Sequence, residues 1–190
     1  MNIPAVKKVK LQTLTLPTAW QTVIFRNYGY VRTERIAKVL GCDEETVCAE
    51  AKRLGLQDEG YALDFEKRGY LTIIRNNWHL LPYAQLLTLL DFTEEKLAYV
   101  LEKDDFLGVK LGDFKPDCPS VSYAPLTAEE MEKTSVISYL LASYCGEKGK
   151  PFDFFQENDE KKAAFVTAQG KRIVHGYLSP CSDEIGRAHV

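Results

Sequence analysis

Histidine is scarce in this chain and cysteine is odd in number: three histidines and five cysteines among 190 residues. The cysteines (Cys42, Cys48, Cys118, Cys145 and Cys181) show no C-x-x-C spacing. That removes the usual arrangement of a structural zinc site and leaves no complete disulfide framework. They read as small reduced hydrophobes, and neither a metal nor a cofactor is expected. No run of about 20 apolar residues occurs, so no transmembrane helix is expected. Leu11–Leu16, broken by Gln12, Thr13 and Thr15 and closed by Pro17, is too short and polar for a secretory signal core. The expected location is cytoplasmic. Nor is there a large charge of one sign: the formal net charge is −3, which gives no global field toward nucleic acid or an anionic membrane. There is no G-x-S-x-G, no phosphate-cradling glycine loop and no histidine pair at helical spacing. No catalytic residue is therefore nominated.

What remains is the composition of an ordinary globular protein, 45% hydrophobic and 27% charged, long enough for one medium domain or two small ones. Its main feature is internal. Laid over itself at a shift of 50 residues, Trp20–Leu56 matches Tyr70–Phe106 without a gap. Thr22 meets Thr72, Ile24 meets Ile74, Asn27 meets Asn77 and Leu40 meets Leu90, while Glu44-Glu45 meets Glu94-Glu95. The apolar rhythm is kept as well, and burial is what a repeat must reproduce.

Each unit predicts an apolar segment (Gln21–Tyr28, Leu71–Trp78), a short helix (Thr33–Leu40, Pro82–Leu90) and, after a tight turn, a second helix. Asp43 and Thr93 suit the N-caps of the second helices, because a side-chain oxygen there can accept from an unpaired backbone N–H. Glu44, Glu45, Glu94 and Glu95 then sit where the helix dipole favours anions. The expected buried stripes are Val47, Ala51 and Leu54, and Leu97, Val100 and Leu101. This is a helix-turn-helix shape made twice.

Such a shape suggests DNA, but the charges oppose it. The start of the second helix must approach phosphates and bases, and both starts here are acidic. The basic residues Arg26, Arg32, Arg35 and Lys38 form only a modest cluster. Nucleic acid is not the expected partner.

Gly108–Pro125 reads as a connector, with a short strand over Phe106–Leu111. Thr127-Ala128-Glu129-Glu130 has the spacing of a capping box. The helix that follows is expected to run to about Cys145, with Ile137, Leu140, Leu141 and Tyr144 on one face. Phe152, Phe154 and Phe155 read as a hydrophobic anchor. Arg172–Leu178 has the content of a buried strand ended by Ser179-Pro180. The last seven residues, Glu184–Val190, read as the translation of a sequencing adapter, so the natural protein is expected to continue past Asp183.

Trp20–Asn27, Arg75–Tyr83, Lys110-Leu111-Gly112 and Lys115–Pro119 resemble the leader region of large, mostly uncharacterised bacterial proteins. In these a helical N-terminal part precedes a glycoside-hydrolase-like barrel. Arg172–Leu178, with Ser179–Asp183 after it, is similar to the first barrel strand. The chain is thus expected to be mainly α: tandem repeats over 15–107, a connector over 108–126, a helix and linker over 127–165, and, as the resemblance implies, the first strand of a truncated α/β barrel over 166–183. The resemblance further implies a non-catalytic accessory portion of a carbohydrate-active protein, whose partner is the missing C-terminal barrel of its own chain. A glycosidase needs two carboxyl groups across the scissile bond, carried in barrels on the ends of several strands, so this stretch alone is expected to be inactive. His175 and Asp183 are nominated as sugar contacts of the intact protein. A core histidine and a plain loop residue are the simpler readings of the two. A tandem helix-turn-helix DNA regulator and a protein-interaction module stand as alternatives.

Overall fold

The computed structural model describes residues 2–11, 14–56 and 69–145, all within the first of two compact units, Met1–Glu147. The expected barrel strand, the Phe152–Phe155 group, His175, Asp183 and the adapter-like tail lie outside the described residues.

The described chain is mainly helical. Three helices come first: α1 (Ala19–Asn27), α2 (Thr33–Leu40) and α3 (Glu44–Arg53). Three more follow: α4 (Tyr70–Asn77), α5 (Tyr83–Leu90) and α6 (Glu94–Lys103). The turn α7 (Leu107–Lys110) and the long α8 (Ala128–Cys145) complete the set. Two short strands, β1 (Val6–Lys7) and β2 (Lys115–Pro116), pair in parallel. The apolar segments that open each half of the sequence are thus helices themselves, α1 and α4.

Local chemistry explains the boundaries. Asp43 and Thr93 accept from the backbone N–H of Thr46 and Lys96, at 2.6 and 3.2 Å, so α3 and α6 begin at capped ends. Thr127 and Glu130 cap α8 reciprocally. Pro82 stands at the N-cap of α5, one residue before the first helical position. Gly41 closes α2 at φ +68°, a left-handed conformation that glycine reaches without penalty. Asp91 closes α5 the same way at φ +57°, and Cys42 and Phe92 then donate back to the carbonyls of Ala37 and Leu87.

A second reciprocal cap opens α1. Thr18 accepts from the backbone N–H of Gln21 at 3.1 Å, and the Gln21 side chain accepts from the backbone N–H of Thr18. Gln21 is fully buried and donates to the Thr134 hydroxyl at 2.8 Å, which joins the start of α1 to α8. Thr18→Ala should therefore cost about 1 kcal/mol, whereas Thr18→Ser keeps the oxygen and should cost little. Chemical denaturation of the three proteins measures the difference.

The interior is a single hydrophobic cluster drawn from both halves of the chain. Val23, Ile24, Ile36, Val47 and Leu54 meet Ile74, Leu81, Leu86, Leu89 and Leu97 there, all fully buried. The expected stripes on α3 and α6 are buried as read. Helix α1 packs on both α4 and α3, and α2 on both α3 and α5. Gln85 staples this pairing to the connector: its amide donates to the carbonyls of Val39 and Val121 and accepts from the Val121 N–H at 2.9 Å.

Two expectations are corrected. The strand over Phe106–Leu111 is instead the helical turn α7. Asp105 and Phe106 both take positive φ, at 52° each, and swing the chain back so that Leu107 drops into the core. Leu111 and Lys110 then donate to helical carbonyls at Leu107 and Phe106 rather than to a neighbouring strand. The second correction concerns α8, where Leu140 faces outward at 45% exposure. Thr134, fully buried, and Ile137, packed on the core, mark the inner side instead.

Candidate functional site

The second helices and the basic cluster are the first surfaces to test for function. On α3 the exposed positions include Glu44, Glu45, Lys52 and Arg53; on α6 they include Glu94, Glu95, Lys96, Glu102 and Lys103. Both signs alternate, and both leading ends are acidic. The Asp43 carboxyl is held below its ordinary range by the Thr46 hydroxyl and backbone N–H. The Glu95 carboxyl is lowered by its own backbone N–H and by Thr93. Negative charge is thereby kept at the two helix starts.

The basic cluster is committed to the fold. Arg26 donates to the Asn76 carbonyl and bridges α1 to α4, and burial pushes its pKa down. Arg35 pairs with Asp91 at 3.1 Å, and Lys38 pairs with Glu34 at 2.6 Å.

Between the halves lies an open cleft of about 510 Å³ lined by Tyr30, Arg35, Tyr70, Phe92, Lys96 and Tyr99, among others. Several of its polar groups pair with one another, Arg35 with Asp91 among them. The Tyr70 hydroxyl donates to Asp104 at 2.7 Å, which raises the tyrosine's pKa. The Lys96 ammonium sits 3.8 Å over the centroid of the Phe92 ring, a cation–π contact.

A second groove, of about 720 Å³, runs between Leu14–Pro17 and one side of α8, where Val136 and Ile137 form its wall and Glu129, Glu132 and Lys133 its rim. From Val136, 55% exposed, α8 continues as apolar surface through Tyr139, 72% exposed, and Leu140, 45% exposed. These three are spaced three and four apart, so they share the side of the helix opposite the core contacts of Thr134 and Ile137. A helix that is apolar on both sides is normally covered on both. The sequence did carry that signal: Met131, Val136, Ile137, Tyr139, Leu140 and Leu141 are more apolar positions than one core-facing stripe needs.

Both nominated sugar contacts, His175 and Asp183, fall outside the described residues, so neither is brought to any of these surfaces. Among the described residues, no group of three or more His, Cys, Asp or Glu side chains is placed to hold a metal. No helix among them is long and apolar enough to cross a membrane. No protein-family model, curated protein sequence or solved structure matches the chain.

Proposed function

We propose that the helical part of this chain is a non-catalytic packing module, two related helix-turn-helix units and a long helix, that braces a partner domain. In the intact protein that domain is a glycoside-hydrolase-like barrel, as the resemblance of Arg75–Tyr83 and Lys115–Pro119 implies. The observation that carries the reading is the outer side of α8, where Val136, Tyr139 and Leu140 lie in the open beside an apolar groove. Three adjacent exposed hydrophobes of this size mark a surface that gains from being covered by protein.

The charge arrangement supports the same reading over DNA binding. Most of the affinity of a DNA-binding protein comes from lysines and arginines neutralising phosphates. Here the helix starts repel phosphate, and Arg26, Arg35 and Lys38 hold internal partners.

Sedimentation velocity of the chain with a fluorescent DNA duplex tests the proposal. The chain is expected to self-associate through α8, to become monomeric when Val136→Glu and Tyr139→Glu are combined, and to leave the duplex sedimenting alone. Co-sedimentation with the duplex in low salt, lost steeply as salt rises, would replace this reading with the regulator. A wild-type chain that stays monomeric at high concentration would count against the packing surface.

A further inference from the structure

The connector holds a pair of reactive groups that packing alone does not explain. Lys115 is 1% exposed, although a lysine is almost never fully buried without a strong reason. Its ammonium nitrogen lies 3.2 Å from the Pro116 carbonyl and 3.3 Å from the Cys118 sulfur. The Trp78 and Tyr83 rings complete the enclosure, with centroids 5.4 and 5.9 Å away. Cys118 is itself buried, at 6% exposure.

We propose that Lys115 and Cys118 form a reversible covalent nitrogen–sulfur bridge on oxidation by hydrogen peroxide, making the connector an oxidant-sensitive modification site. The chemistry proceeds in two balanced steps. Peroxide first oxidises the Cys118 thiol to a sulfenic acid: the sulfur gives up two electrons, the O–O bond breaks and one water is released. The Lys115 amine lone pair then attacks that sulfur. The S–O bond breaks, the departing hydroxide takes a proton from nitrogen and leaves as water, and an N–S bond remains. Two hydrogens are lost overall. A small thiol in excess reverses the link, with the thiol oxidised to its disulfide.

Three features of this site favour that outcome. Burial pushes the Lys115 amine below its ordinary pKa, against the opposing pull of Cys118 and Asp117. More of it is then the neutral nucleophile. The usual competitor, ring closure of a sulfenic acid onto the next backbone nitrogen, is barred because residue 119 is proline and has no N–H. The backbone is also held in place: the Lys115 N–H donates to Ala5 at 3.0 Å and the Asp117 N–H to Lys7 at 2.9 Å. The nitrogen and sulfur therefore stay in contact while the reaction occurs.

The test is peptide mapping of the full chain before and after hydrogen peroxide. Trypsin leaves the Lys115–Pro116 bond intact, so both residues fall in one peptide, Leu111–Lys133, in which Cys118 is the single cysteine. That peptide should become lighter by about 2 Da, resist iodoacetamide and regain both properties with a thiol reductant. A disulfide within it is impossible. Fragmentation should show no backbone ions separating Lys115 from Cys118. In Lys115→Arg the lighter species should vanish and Cys118 should instead gain about 16 or 32 Da. A wild-type peptide that is unchanged or only gains oxygen overturns the proposal, as does a lighter peptide that survives in Lys115→Arg.

Discussion

Asn27→Leu is expected to destabilise the protein by about 3 kcal/mol, and adding Asn77→Leu is expected to restore part of that loss. Asn27 and Asn77 are both fully buried. Each side-chain amide donates to the other's carbonyl oxygen, at 3.0 and 2.8 Å. Each spends its second N–H on a carbonyl one turn back, Val23 for Asn27 and Ile73 for Asn77. The pair therefore closes on itself at the point where α1 meets α4. Removing one partner leaves the other buried with an unfilled donor and acceptor, which costs about 1–3 kcal/mol beyond the bond lost. Removing both replaces a satisfied polar pair with apolar groups of similar volume, which can be nearly neutral. In denaturant unfolding the double variant should be more stable than the summed single losses by about 2 kcal/mol. Simple additivity would mean that the amides do not bond to each other in solution.

Trp78→Ala should be the most damaging single substitution, costing about 4 kcal/mol or more. Trp78 is the largest fully buried side chain among those described. It packs edge-on against Tyr83 at a centroid distance of 5.8 Å, and its indole N–H donates to the Phe114 carbonyl at 3.0 Å. It also forms one side of the enclosure around Lys115. Trp78→Phe keeps most of the ring contact and loses the hydrogen bond, so about 1–2 kcal/mol is expected. Thermal unfolding of both variants checks the ordering. A Trp78→Phe loss as large as that of Trp78→Ala would show that the N–H···O contact, rather than the ring, dominates.

Much of the local structure was legible in the residues themselves. Asp43, Thr93 and Thr127 lie where short-range chemistry puts a cap, and the stripes of α3 and α6 follow from a period of 3.6. The cap at Thr18 is equally local, but its T-x-x-Q spacing signals a helix start only where the apolar run after it is helical. Phe106–Leu111 failed for a different reason. An apolar run of that length suits a strand or a buried turn equally, and only the position of Leu107 against α6 decided between them. Leu140 differs for a similar reason, since a helix with apolar residues on two sides does not announce which side is the inner one.

The candidate functional surfaces were less legible. The acidic starts of α3 and α6 could be read directly. That Arg26 and Arg35 reach across to Asn76 and Asp91 could not, because those partners lie in the other half of the chain.

The sequence alone determined that the described part of the chain is mainly helical, where several of its helices begin, and which residues of α3 and α6 are buried. These follow from capping, dipoles and periodicity, which act over a few residues. Tertiary structure alone decided that Asn27 faces Asn77, that Lys115 is enclosed beside Cys118, and that Tyr139 is left in the open. The alignment of the two halves already set the asparagines in register, but a periodicity specifies only which side of a helix is apolar. What lies across from that side depends on how the whole chain closes around its core.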